Sequence, residues 1–361
     1  MQVLEKKFTD KTYSILYLVE DAENGMRLDQ FAQIHFTTLS REYVKKRIIC
    51  GDITISARPH PHRPSTKVYK GEQIQILTTK SNHEDEYWRG QLVAEEIPLI
   101  IDDHSDYVVI SKPAFMATHP TGKHLFYTAT SIMSYRLNSP MKSVHRIDRE
   151  TSGVLLLGKN EKAAQVLTEL FENRKVKKAY IFIAHKKHDA SSFPFIADER
   201  LGLIDDHTPR NMVHCFAKET KQGKRAQTRF ELVHDFGSFV LALAFPVTGR
   251  QHQIRAHAAH HGYPLLGDKM YNGDPTVFMR FKDGVATESD FDLMQIPRQA
   301  LHAAALSLRI NYLNQNKLWV QPIPNDLKKW LSSQDISVQD ILQYEQKIKD
   351  IIANYFEQKS A

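Results

Sequence analysis

Cysteine is nearly absent. In 361 residues only Cys50 and Cys215 occur, far apart and outside any metal-type spacing, which argues against a disulfide framework or a cysteine-built zinc site and fits a reducing, cytoplasmic setting. No apolar run approaches the roughly eighteen residues a membrane helix needs. Glu5, Asp10 and Glu20 place acids where a signal or transit peptide avoids them, so a soluble, unexported chain is expected. Neither an internal repeat nor a low-complexity tract occurs, which confines expected disorder to ends and linkers. Gly-x-Gly-x-x-Gly and Walker-type loops are missing, and no nucleotide cofactor is expected.

What is present is an ordinary globular composition, 42% hydrophobic and 25% charged, with a net charge of +6. The length predicts two unequal domains. The charge suits a polyanionic partner without proving one. It is concentrated near the N-terminus, where residues 25–76 hold nine Lys and Arg against four Asp and Glu. There Gly25–Phe31 opens a helix, and Leu39–Ile49 makes a second with Ser40 as its N-cap. Alternating apolar residues after a glycine predict strands within Gly51–Ile55 and Lys70–Ile76. Arg41, Lys45 and Lys46 fall on neighbouring turns of the second helix, an arrangement that suits contact with phosphates and equally describes a solvated helix face. Residues 79–95 are polar and read as a linker.

The most informative stretch is His145-Arg146-Ile147-Asp148-Arg149-Glu150-Thr151-Ser152-Gly153, which leads into Val154-Leu155-Leu156-Leu157. Flanking arginines keep Asp148 ionised, and an ionised carboxylate can form covalent adducts with sugars or activated carbons. Taken alone, the same pattern also describes a surface turn with a salt bridge. Apolar runs at Tyr107–Ile110, Val154–Leu157, Ala179–Ile183 and Phe239–Leu243 alternate irregularly with helical stretches such as Asn160–Phe171. They predict an α+β fold on a mixed or antiparallel sheet. His252, His257, His260 and His261 have partial metal-site spacing but lack an acidic third ligand and a His-Glu-x-x-His pattern, so packing, phosphate or outer contacts are expected and no metal. His60 and His62, in the Pro-rich stretch 57–64, are likewise read as loop residues. Beyond residue 330, Val338, Ile341, Leu342, Ile348, Ile351, Ile352 and Tyr355 share one helical face, interrupted by Glu345. This predicts a helical extension over 331–361 that docks on its own protein, with a partner surface as the alternative.

The His-Arg-Ile-Asp-x-x-Thr-Ser-Gly segment resembles the signature of RluA-type pseudouridine synthases, which isomerise uridine in RNA. Three further segments agree in order: Ser111–Pro120, in which Phe115 replaces the family's glycine, Lys177–Tyr180, and Gly249–His257 continuing through Pro264–Tyr271 and Ala300–Ala303. This likeness covers about residues 96–330. The arrangement over 25–78 is similar to the S4 RNA-binding domain, although the Pro-rich 57–64 stands where that family has a short turn.

The resemblance implies a catalytic domain with an antiparallel sheet crossed by the active-site cleft. It assigns catalytic roles to Asp148, to Tyr180 as a stacking surface with a part in proton transfer, and to Arg255 as the partner of Asp148, with Arg250 competing for that place. Arg146, His145, Arg250, His119 and Lys112, together with Arg41, Lys45 and Lys46, are expected to contact RNA. The implied reaction is redox-neutral, needs no cofactor, and is expected on large-subunit ribosomal RNA by a monomer. Transfer RNA as substrate, or a non-catalytic RNA-binding assembly factor on the same scaffold, are the alternatives.

Overall fold

The computed structural model describes residues 2–9, 11–35, 40–80, 84–121, 124–204, 209, 211–310 and 314–358. The chain divides into two compact units, Met1–Asp85 with His119–Pro140, and Glu86–Thr118 with Met141–Ala361.

In the first unit, β1 (Gln2–Phe8), β2 (Thr12–Leu18), β3 (Ile53–Ile55) and β4 (Gln73–Thr79) form an antiparallel sheet in the order β1-β2-β4-β3. Period-two alternation decides which face is buried: Tyr13, Ile15 and Tyr17 of β2, with Ile74 and Ile76 of β4, turn inward. Two helices, α1 (Leu28–His35) and α2 (Arg41–Ile49), cover that face with Leu28, Phe31, Val44 and Ile48. The Ser40 hydroxyl accepts the Tyr43 N–H and starts α2, whose Arg41, Lys45 and Lys46 are exposed. The predicted beginning of that helix at Leu39 lies outside the described residues.

This unit is larger than the expected 25–78 module. It begins with two strands from residues 2–18 and takes in 119–140, with α3 (Ala129–Arg136). The buried Glu84 carboxylate ties that segment in by accepting the N–H groups of Leu125, Phe126 and Tyr127, each at 2.8 Å. In the Pro-rich stretch, His62 is buried and its Nε2 accepts the Ile55 N–H at 3.1 Å, so this imidazole braces β3.

The expected linker 79–95 also differs, its residues 81–83 lying outside the described residues. Tyr87–Trp88 (β5) and Gln91–Leu92 (β6) pair as a small hairpin of the second unit. Trp88 stacks on Phe281 with ring centroids 6.0 Å apart, and Arg89 pairs with Glu288 and Asp292.

The second unit is built on a ten-stranded mixed sheet. In chain order its strands are β7 (Leu99–Asp103), β8 (Tyr107–Lys112), β9 (Lys142–Ser143), β10 (Ser152–Gly158), β11 (Lys177–His185), β12 (Phe195–Ala197), β15 (Thr228–Asp235), β16 (Phe239–Pro246), β17 (Leu301–Ile310) and β18 (Gln315–Val320). A separate hairpin joins β13 (Arg200–Gly202) to β14 (His214–Phe216). The main order is β12-β15-β16-β11-β17-β10-β8-β7, antiparallel except for β10 beside β17. That parallel pair starts both strands at one end of the sheet, which sets the loop carrying Asp148 next to the loop carrying Gln299. One row crosses the centre through Lys112, Gly153, Ala303, Tyr180 and Ala244. Gly153 is required there: its φ is +109°, and a Cβ would stand 2.2 Å from the Ala303 carbonyl oxygen.

The apolar run Val154–Leu157 is buried throughout because β10 is central. Packed against it is α4 (Glu161–Glu172), begun by Asn160, with Ala164, Leu167 and Leu170 inward. Further along, α5 (Gln253–His260) sets Ile254 and Ala258 on Phe182, Ala184, Ala242 and Ala244. α6 (Thr276–Lys282) and α7 (Glu288–Met294) supply Phe281 and Phe291 to the Trp88 cluster. The opposite face, Ile181, Ile183, Leu241, Leu243 and Phe245, is covered by α8 (Asn325–Ser333) and α9 (Val338–Gln358).

The C-terminal helix therefore belongs to this core, and α8 straddles the expected boundary at residue 330. Its inward stripe is Ile341, Ile348, Ile352 and Phe356, whereas Val338 and Leu342 face solvent. Glu345 does not interrupt the docking. It pairs with Lys328 at 2.8 Å and accepts the Ile323 N–H at 3.0 Å. No helix among the described residues is long and apolar enough to cross a membrane.

Candidate active site

A cleft of about 440 Å³ opens on the α5 side of the sheet, lined by Asp148, Tyr180 and Arg255 with Arg146, Lys178, Arg250 and His252 among others. The turn preceding β10, closed by Thr151 N–H on the Asp148 carbonyl at 3.1 Å, projects the Asp148 side chain into it. Arg255 Nη1 donates to Asp148 Oδ2 at 3.1 Å, and Gln299 Nε2 lies 3.4 Å from the same oxygen while donating to Thr151 Oγ1 at 2.8 Å. Arg255, rather than the competing Arg250, thus faces the carboxylate. Arg250 lies at the exposed edge, its Nε donating to the Arg225 carbonyl at 3.2 Å.

Arg255 is itself aimed by Asp268, which is fully buried and takes Nε at 2.6 Å and Nη2 at 2.8 Å in a bidentate pair. Asp268 Oδ1 also accepts the Met270 and Tyr271 N–H groups. Gly267 makes that turn possible, with φ +71° and a Cβ position only 2.0 Å from the Arg298 carbonyl oxygen. Burial would raise the Asp148 carboxyl, but His252 and Arg255, with hydrogen bonds from Arg255 and Gln299, outweigh it and hold the group below its ordinary value. His252 is pushed down to about 4 by burial and by Arg255, so it is neutral at pH 7 and Arg255 carries the effect there. Burial and the charge of Asp148 push the Tyr180 phenol well above its ordinary value and keep it protonated.

Two expected RNA contacts are structural instead. Lys112 is fully buried, and its ammonium donates to the carbonyls of Pro113, Met116 and Arg149 at 2.9, 2.7 and 3.2 Å. Burial, helped by Arg298 and Arg149, pushes it well below its usual range. It clamps the Asp148 loop from beneath. His145 accepts the Leu156 N–H on Nε2 at 3.0 Å and stacks on Phe171 at 4.3 Å. Burial and Lys178 push it down to about 3, so it offers RNA no charge.

His119 belongs to the first unit and is not among the cleft-lining residues. Arg146 is exposed at the cleft. Of the histidine cluster, His257 contacts Thr228 Oγ1 and the Glu199 carbonyl, and His261 contacts Ser191 and the Glu199 carboxylate. Phe115, at the family's glycine position, keeps a left-handed φ of 63°, and its ring lies 5.6 Å from the Arg149 guanidinium carbon.

Asp268, Gln299 and Gln253 are positioning residues that sequence reasoning did not single out. Gln253 orders the loop before α5, accepting Thr248 Oγ1 and Arg250 N–H while donating to Gln227 and Thr228. Asp268 is the one acid within the Pro264–Tyr271 segment, which is the signal by which the sequence marks it. Gln299 carries no local signal, because its role depends on the parallel β10–β17 pairing.

Residues 106–260 match the RNA pseudouridylate synthase family. Among similar proteins, ribosomal large subunit pseudouridine synthase D of Blochmanniella floridana is 30% identical over 322 residues, covering 86% of this chain and 95% of its own length. Ribosomal large subunit pseudouridine synthase C of Buchnera aphidicola is 28% identical, covering 89% and 97%. The solved structure of human RNA pseudouridylate synthase domain containing 4 shares the fold, with a TM-score of 0.51 at 23% identity over 65% of this chain and 92% of that one.

Proposed function

We propose that this chain, which belongs to the RNA pseudouridine synthase family, converts uridine to pseudouridine in large-subunit ribosomal RNA with Asp148 as its catalytic carboxylate. The observation that carries the site is the Asp148–Arg255–Asp268 chain: an ionised carboxylate held in a cleft, its partner fixed from behind.

Isomerisation breaks the bond from ribose C1′ to uracil N1, turns the base and joins C1′ to C5. The C5 proton leaves, and N1 ends with one. Addition of Asp148 to the base, addition to C1′ and assistance at C2′ all call for an ionised carboxylate at the sugar–base junction. Tyr180, across the cleft floor, offers its ring for stacking of the extruded uracil. Arg146, exposed at the cleft, is suited to fill the place the base leaves.

The names of the relatives, which align over most of this chain, support ribosomal RNA. The exposed Arg41, Lys45 and Lys46 of α2 support an RNA-docking role for the first unit, in the manner of an S4 domain, within a monomer. The test is incubation of purified protein with unmodified ribosomal and transfer RNA separately, followed by carbodiimide-blocked primer extension. Asp148-dependent stops in ribosomal RNA are expected. Stops in transfer RNA alone would overturn the substrate, and none in either would overturn the reading.

A further inference from the structure

Lys178 and Tyr180 stand two residues apart on β11, so their side chains share the face that lines the cleft, about 7 Å apart along the strand. Arg146, Arg174 and Arg250 on the cleft wall are exposed to solvent, while the buried and half-buried cations nearby are matched by carboxylates: Arg255 by Asp148 and Asp268, Lys269 by Glu150, Arg149 by Glu86, and Arg298 by Asp326. Lys178 is not. Its Nζ donates to the Thr248 carbonyl at 3.2 Å, and among the described residues no carboxylate pairs with it. Lys112 also lacks a carboxylate, but three carbonyls take its three N–H donors. Lys178 spends one donor on protein and keeps two for the cleft. Gly249 leaves that approach open, since even a Cβ there would begin 3.6 Å from Nζ.

We propose that Lys178 is a phosphate-binding residue of the cleft, holding a phosphodiester of the RNA strand beside the uridine that Tyr180 stacks. The assignment rests on RNA being the substrate. A phosphate supplies the negative charge and the acceptor oxygens that the protein withholds, and fixes the strand so that the extruded nucleotide meets Asp148 in one register. Burial pushes the free ammonium down to about 8, which makes its charge dependent on pH in a range where the RNA phosphates stay ionised.

The other ionisable groups on the cleft wall are His145 and Arg146 before β10, Asp148, Glu172 and Arg174 at the end of α4, Tyr180, and Arg250, His252 and Arg255 around the start of α5. His145 and His252 are pushed to about 3 and about 4, Asp148 is held low and Tyr180 high. None of these four changes charge between pH 7 and 9.

The test compares wild type, Lys178→Gln and Lys178→Arg in the full chain by fluorescence anisotropy with a labelled ribosomal RNA fragment over salt and pH series. The same proteins are assayed for pseudouridine under saturating RNA. Lys178→Gln is expected to weaken binding roughly tenfold and to reduce the log–log salt slope by about 0.7, the loss of one phosphate contact on a single strand. The turnover of bound RNA is expected to fall by a smaller factor than the affinity, because the contact removed is one made by bound RNA before as well as during the reaction. Lys178→Arg restores affinity and slope. Wild-type binding weakens as pH rises through about 8, while the arginine variant stays flat across that range.

Unchanged affinity and slope in Lys178→Gln would overturn the assignment, as would a loss confined to turnover. Wild-type protein that binds with the expected Lys178 dependence yet forms no pseudouridine would overturn the ribosomal RNA reading and leave the phosphate contact standing.

Discussion

Asp268 grips the Arg255 guanidinium at Nε and Nη2, leaving Nη1 pointed at Asp148 3.1 Å away. The Arg255–Asp148 pair is therefore oriented by a third group that lies fully buried behind it. Asp268→Asn keeps the shape but removes the charge that balances Arg255 in a buried site. It is expected to lower stability by about 3–5 kcal/mol, the cost of breaking a buried pair. It should also reduce single-turnover rate about a hundredfold through loss of alignment. Urea midpoints and rates on bound RNA check both; a variant with wild-type turnover would remove Asp268 from the positioning chain.

Asp148→Asn leaves the hydrogen-bonding outline of the site nearly intact while removing the ionised carboxylate on which the proposed reaction depends. Product formation should fall at least ~10³-fold with RNA affinity within about threefold of wild type. Affinity measured by filter binding and product by primer extension separate the two. Turnover near wild type would exclude Asp148 from the chemistry.

The sequence discloses what is local. Asn160 and Ser40 announce the starts of α4 and α2, the all-apolar Val154–Leu157 announces a strand buried on both faces, and the ordered motifs bring Asp148, Tyr180 and Arg255 to one cleft. Long-range pairing lies beyond such signals. Gln299 stands 151 residues from Asp148, and only the parallel pairing of Ser152 with His302 brings them together. Lys112 misleads for a related reason: a lysine before proline reads as exposed, yet carbonyls from two separated loops surround it. The alternation of Tyr13, Ile15 and Tyr17 is a legible strand signal, but it lies N-terminal to the stretch that resembles an S4 domain.

Docking of α9 on the face opposite the cleft separates stability from catalysis. Ile352, 1% exposed, packs in the core under β11 and β16. Ile352→Ala should cost about 2–5 kcal/mol in urea unfolding. Turnover per folded molecule should remain within about twofold, since the site side of the sheet is untouched. A selective loss of turnover would show that α9 is coupled to the cleft.

Buried histidines are expected to make the fold acid-sensitive, four of them most strongly. His145 and His302 are pushed down to about 3, and His252 and His257 to about 4, each chiefly by burial. Their folded values lie below the unfolded value, so under about pH 6.5 the unfolded chain binds protons that the folded chain refuses. Stability is therefore complete above that pH and falls as pH decreases, until the folded imidazoles themselves protonate near 3 to 4. The deeply buried His257 and His302 should each contribute up to about 1.4 kcal/mol per pH unit in that window. The depressed carboxyls of Asp148, Glu150 and Asp268 act in the same direction at lower pH. Urea midpoints at pH 7, 6 and 5 should fall progressively, and His302→Asn, which keeps an acceptor for Ser152 but cannot protonate, should flatten the slope. A midpoint constant from pH 7 to 5 would mean that these imidazoles find water or a counter-charge in the folded state.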